Sequence, residues 1–145
     1  MNELIKKARD IAETYDVSTQ SDSAVVYSVS FMPRDENKQK AKAFIKENPT
    51  AKMLDDTSCG KALIALGLDG KVNEVGEEIT EIWRIASSRY IKEASGNIHA
   101  FVEGADERST FCTTELSEIM ENPKITHING VEKSLFSKTF TPKYY

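Results

Sequence analysis

The sequence predicts a single α/β domain: a small, mostly parallel sheet with flanking helices and a helical part at the N-terminus. Three observations lead there. β-branched runs alternate with stretches of helical period, the pattern of strand–helix–strand units. The 145 residues suffice for one core, since a chain of this size buries roughly 68–70% of the surface its unfolded form exposes. No internal repeat and no low-complexity linker divides residues 1–145.

The elements follow in order. Residues 2–16 place Leu4, Ile5, Ala8, Ile11, Ala12 and Tyr15 on one helical face opposite Lys and Asp, so this helix is expected to dock on the body. After the polar run STQSDS, residues 24–30 (AVVYSVS) read as a buried strand. Pro33-Arg34-Asp35 breaks it, and Asp35 is a fair N-cap for a helix to about Lys46 with Ala41, Phe44 and Ile45 inward. Asn48-Pro49 stops that helix. Asp55-Asp56-Thr57 opens another to about Leu66, with the two aspartates as an N-cap pair, before Gly67 and Gly70 end it.

The longest helix begins near Asn73, with Val75, Ile79, Ile82, Trp83, Ala86, Tyr90 and Ala94 as its apolar stripe, and Gly96-Asn97 ends it. Three strand candidates come next, at 98–103, 110–114 and 125–129, with a short helix at 117–120 between the last two. The tail from Ser134 reads as loosely attached.

Composition narrows the function. The net charge of −4, with both signs mixed along the chain, argues against a dedicated nucleic-acid binder, which carries a basic patch or stripe. Two cysteines, Cys59 and Cys112, form neither a disulfide framework nor a CxxC motif. The two histidines, His99 and His127, lie far apart in sequence, and no metal or cofactor is expected. No apolar run reaches the roughly 18 residues of a membrane span, and the N-terminus lacks a secretory signal pattern. The expected location is a cytosol, or a target cell reached by a route that needs no cleavable signal peptide.

Ile82 to Leu116 is the stretch that bears on chemistry. A helix, a tight turn and two strands would bring the single tryptophan Trp83, the hydroxyl of Ser87 and the carboxylate of Glu115 toward one edge of the sheet. Ligands of parallel α/β sheets bind at the carboxyl ends of strands. Trp83 and Ser87 are one turn apart and therefore neighbours. Each residue taken singly has a structural explanation. Glu115 suits the first turn of the helix that follows it, Trp83 a core stripe, and Ser87 a hydrogen bond within its own helix. Cys112 reads as a structural thiol and His99 as a packed histidine. No GxGxxG or Walker loop is present.

The combination carries more. The pieces are Val26-Tyr27-Ser28, then Leu54-Asp55-Asp56-Thr57-Ser58-Cys59-Gly60, Trp83-x3-Ser87, and Ser109-Thr110-Phe111-x3-Glu115-Leu116. In this order and at these separations, residues 24–130 resemble the ADP-ribosyl cyclase family, the animal NAD glycohydrolases and cyclases and their bacterial relatives. The resemblance implies that Glu115 is the catalytic carboxylate and Trp83 the aromatic wall against nicotinamide. It implies that Ser87 binds near the ribose or phosphate, and that Ser109, Thr110 and Phe111 contact the phosphates. Asp55 matches an acidic residue that weighs cyclisation against hydrolysis. Tyr27 stands where the family usually has a second pocket tryptophan. The family's many disulfides and longer chain are missing, which suggests a compact bacterial version.

The reaction so implied is cleavage of the nicotinamide–ribose bond of NAD, or of NADP, to nicotinamide and ADP-ribose, with some cyclic ADP-ribose. Because NAD loss harms any cell, a toxin or effector role is expected, with a protein inhibitor as partner in the producing cell. Three rivals stand beside it: a cyclase making mainly the cyclic product, a non-catalytic nucleotide-binding module, and an ADP-ribosyltransferase. Keeping both Trp83 and Glu115 speaks against the binding module, and the usual R-S-E or H-Y-E pattern of the transferases is not apparent.

Overall fold

The computed structural model describes residues 2–28, 36–68, 77–105 and 111–140. Three parallel strands form its centre, β1 (Val25–Tyr27), β2 (Gly96–Phe101) and β3 (Ile125–Ile128). A short antiparallel β4 (Val131–Glu132) pairs with β3, giving the order β1-β2-β3-β4. The sheet is thus mostly parallel, and the α/β expectation holds. β1 and β2 are shorter or shifted relative to their sequence limits: Ala24 leaves β1 as an isolated parallel bridge to Lys52, and β2 begins two residues early. Residues 29–30 lie outside the described set.

Helices cover both faces. On one side α1 (Asn2–Thr14), α3 (Ser58–Ala65) and α4 (Glu77–Glu93) enclose the larger core, into which Val26, Ile98, Ala100 and Ile128 point. On the other, α2 (Glu36–Glu47) places Ala41, Phe44 and Ile45 against Val25, Tyr27 and Phe101. β1 divides its side chains between the faces with the period of two that a pleated strand imposes. Tyr15, expected on the buried face of α1, is 43% exposed, because the helix has already ended at Thr14.

Three local differences matter for the site. Asp55 and Asp56 do not cap α3. They occupy a separate 3₁₀ turn, Leu54–Asp56, and Thr57 is the cap, its hydroxyl accepting from Gly60 N at 3.1 Å. A Cβ at Gly60 would lie 2.0 Å from the Leu54 carbonyl oxygen, so only glycine lets α3 start so close to this turn. The second difference is residues 111–114, expected as strand: Phe111–Glu115 is a π-helical turn running straight into α5 (Leu116–Glu121). β2 already has β1 and β3 as neighbours, so no strand position beside it remains. The segment packs on α4 and α5 instead, and tertiary packing overrides the β propensity of Thr113-Thr114. Third, the tail, expected to be loosely attached from Ser134, is helical and packed over its described part, to Phe140. Lys133–Thr139 forms α6, and Phe140 meets the fully buried Phe111 edge-on at 5.5 Å.

The β3–β4 hairpin turn at Asn129-Gly130 has positive φ at both residues, 54° and 78°, as a two-residue type I′ connection requires. Sequence reading stopped at Asn129 and missed β4. Asp35, Gly70 and the start of the long helix near Asn73 lie outside the described residues.

Candidate active site

The site is assembled by α4, the π turn and the 3₁₀ turn. On α4, Ile82, Ala86, Tyr90 and Ile91 are buried, which fixes the helix's rotation and leaves Trp83 and Ser87 along one flank of the stripe. The Tyr90 hydroxyl ties this helix to the sheet. It accepts from Val25 N at 2.9 Å and lies within hydrogen-bonding reach of the Val25 and Lys52 carbonyls. Burial pushes its phenol pKa upward, so it stays a neutral donor. At the far end Asn122 donates to the Ile91 and Ala94 carbonyls at 2.9 and 3.1 Å, satisfying the C-terminal end of α4.

Glu115 is the focus. It is only 7% exposed, has helical backbone angles, and makes no capping hydrogen bond to α5. The structural explanation available from sequence therefore fails. Its carboxylate instead lies near the Ser87 side chain, which favours its charged form. Burial pushes the Glu115 carboxyl up to about 7. The Ser87 side chain pulls it down, and the negative charge of Asp55 pushes it up again. A π turn shifts the side chains that follow it relative to a regular helix, and such turns recur at functional sites; this one points Glu115 inward.

Asp55, released from capping, comes within electrostatic reach of Glu115. Burial raises its carboxyl above the usual range, opposed by the charge of Lys38. The segment leading to it runs parallel beside Ala24, toward the carboxyl end of β1. Met53 packs in the α2 cluster and Leu54 in the larger core, so Asp55 stands where the two meet.

Trp83 is half-buried, and its indole N–H donates to the Leu68 carbonyl at 2.8 Å, which orients the ring. Tyr27 ends β1 on the other face of the sheet, among the α2 cluster, with Lys38 Nζ 6.0 Å from its ring centre. The charge of Glu115 is thus coupled to Ser87 and to Asp55, Trp83 lies one turn from Ser87, and Tyr27 belongs to a different cluster from Trp83. Phe111 is fully buried against Phe140, a core role. Ser109 and Thr110 lie outside the described residues. Cys59 is buried beside the Ile11 carbonyl, and His99 packs on Phe44 at 4.6 Å, both structural. Among the described residues no group of three or more His, Cys, Asp or Glu could hold a metal, and no helix is long and apolar enough to cross a membrane.

Sequence reasoning missed Lys38 and Tyr90. Tyr90 shows only as a member of the apolar stripe. Nothing in the sequence marks Lys38 among the lysines of α2; its half-burial beside Asn37 and Ala41 shows only in the structure.

No protein-family model matches this sequence, and no curated protein matches it in sequence. Solved structures do match its shape. Porcine CD38, complexed with a covalent intermediate, ribo-F-ribose-5'-phosphate, superposes with TM-score 0.54 at 18% identity, over 87% of this chain and 67% of that one. The chain has an ADP-ribosyl cyclase-like fold. Aplysia cyclase, complexed with substrate NGD and product cGDPR, gives TM-score 0.56 at 14% identity over 98% of this chain and 76% of its own. An ADP ribosyl cyclase complexed with N1-cIDPR gives 0.54 at 13% identity, and the chain spans 62% of it. The cyclase-like fold is therefore present here in a shorter chain than these neighbours.

Proposed function

We propose that this protein is an NAD glycohydrolase, cleaving the nicotinamide–ribose bond to release nicotinamide and ADP-ribose. The observation that carries the reading is the Glu115 carboxylate: buried, relieved of any capping duty and favoured in its charged form by Ser87. Burying such a group costs stability unless something offsets it, and groups so perturbed cluster at functional sites. The cyclase-like fold adds support, since the Aplysia neighbour is described with a dinucleotide substrate, NGD.

The chemistry asks little of the protein. Nicotinamide leaves NAD as a neutral molecule, because the electrons of the breaking C–N bond cancel the positive charge on its ring nitrogen. The leaving group needs no proton, so one ionised carboxylate suffices, unlike ordinary glycoside hydrolysis with its acid and base. Glu115 faces the positive charge that develops at the ribose carbon and lowers the barrier electrostatically. Trp83 offers a π face to the cationic ring, worth on the order of 0.5–2 kcal/mol. Water then adds to the ribose carbon and gives its proton to solvent. Tyr27 belongs to a different cluster from Trp83, so adenine is gripped loosely and hydrolysis outruns cyclisation. An NAD-depleting toxin or effector, held in check by a protein inhibitor, is the biological role this activity fits.

The test is chromatography of the products after incubating purified protein with NAD. Equal amounts of nicotinamide and ADP-ribose establish the hydrolase. A cyclic product moves the function to cyclase, and label fixed to protein moves it to transferase. Unchanged NAD refutes an enzymatic role.

A further inference from the structure

The proposed site contains two neighbouring carboxylates, Asp55 and Glu115, yet a dinucleotide brings its own negative diphosphate. A site that repels at one end and must hold an anion at the other needs a cation. Lys38 lies at the edge of the site, where its charge reaches Asp55. Its Nζ sits 6.0 Å from the centre of the Tyr27 ring, at the carboxyl end of β1, and it is half-buried, unlike the exposed lysines around it on α2. Lys42, one helical turn along, presents on the same side, and the charges of both are felt by Asp55. Lys40 differs: it pairs with Glu36 at 3.2 Å and Glu103 at 3.8 Å and has its counter-charges already.

We propose that Lys38, supported by Lys42, is the phosphate-binding cation of this site, taking a phosphate of the bound dinucleotide beside Tyr27. This rests on the reading of the site as a dinucleotide site. The dinucleotide then lies with its cationic ring toward Trp83 and Glu115 and its anionic part toward α2, so the charges of ligand and protein alternate in register. In the empty protein the same ammonium groups offset the charge of Asp55. Binding a phosphate diverts them from Asp55 and couples substrate arrival to the carboxylate pair.

The test is calorimetric binding of ADP-ribose and of 2'-phospho-ADP-ribose to the wild type, Lys38→Ala, Lys38→Arg and Lys40→Ala. Loss of one charge-assisted contact predicts binding roughly 10- to 100-fold weaker in Lys38→Ala. Lys38→Arg retains most of the affinity, and Lys40→Ala matches the wild type. A loss seen with both ligands assigns the diphosphate; a loss confined to the second assigns the 2'-phosphate. Equal affinities in the wild type and Lys38→Ala overturn the proposal. Turnover adds a second reading. Lys38→Ala should raise KM for NAD while sparing nicotinamide riboside, which has no phosphate; an equal loss on both substrates also overturns it. A wild type that binds ADP-ribose through Lys38 but releases no nicotinamide from NAD refutes the hydrolase and leaves the phosphate site standing. A wild type that does not bind ADP-ribose refutes the phosphate site.

Discussion

The Ser87 side chain, in the middle of α4, lies near the buried carboxylate of Glu115 at the end of the π turn and favours its charged form. Burial and the charge of Asp55 oppose that effect. The balance sets the pH at which the site carries its charge, and two substitutions push it in opposite directions.

Ser87→Ala removes that hydroxyl, so Glu115 ionises at higher pH and the rising limb of the rate profile moves alkaline. A hydrogen bond to a charged group contributes about 1.5–3 kcal/mol, which bounds the loss of rate near neutrality, expected at roughly 10-fold. Asp55→Asn removes a repelling charge, and the same limb moves acid. Nicotinamide release measured from pH 5 to 9 checks both, and shifts in the same direction would contradict the assignment.

Glu115→Gln tests the cost of the buried charge through stability. Below the unfolded value of 4.5 the carboxyl is protonated in both states. Between 4.5 and about 7 the folded protein keeps a proton that the unfolded chain has lost, so stability falls as pH rises through this window. The penalty is complete above about 7 and reaches on the order of 3 kcal/mol as an upper limit. The glutamine variant should therefore be more stable than wild type at pH 8 and lose that advantage toward pH 4.5. Urea unfolding at the two pH values measures it; a difference independent of pH would show that Glu115 does not titrate as described.

Tyr90→Phe removes the hydroxyl that bridges α4 to the Val25 N–H and to the Val25 and Lys52 carbonyls, while the Val25 N–H keeps its bond to the Lys52 carbonyl at 3.0 Å. Losing a hydrogen bond of this kind costs about 0.5–1.5 kcal/mol. The urea midpoint should drop accordingly, and an unchanged midpoint would mean that the tie between α4 and β1 carries no weight.

Gly60→Ala probes the turn that holds Asp55. The added Cβ would meet backbone, at 2.0 Å from Leu54 O and 2.7 Å from Asp55 Cα, and backbone cannot swing aside as a side-chain tip can. Overpacking of this kind costs about 1–3 kcal/mol. Thermal unfolding at a single pH checks it, and a fully stable variant would mean that α3 does not need this close approach.

Much of this was legible in the sequence, for identifiable reasons. The α4 stripe is strongly periodic, so its buried face and the neighbourhood of Trp83 and Ser87 could be read directly. The order of strands and helices implied a parallel sheet. Glu115 stood out by its spacing from Ser109 to Phe111 and its place after Trp83, but its inward turn was not visible, because a π turn has no sequence period and Thr113-Thr114 favour a strand. Asp55 was hidden by a sound rule: aspartate before a helix is a good cap. Thr57 competes for that position and wins, and this frees Asp55. Lys38 looked like any lysine on an amphipathic helix until Tyr27 was placed beneath it.

The most direct measurement compares nicotinamide release from NAD by wild type and Glu115→Gln at pH 8, with folding of both verified by circular dichroism. Replacing a carboxylate that faces the developing positive charge with a neutral amide of the same shape should cut the rate roughly 10²–10³-fold or more. A variant that retains the wild-type rate would contradict the assignment of Glu115 as the group that drives the reaction.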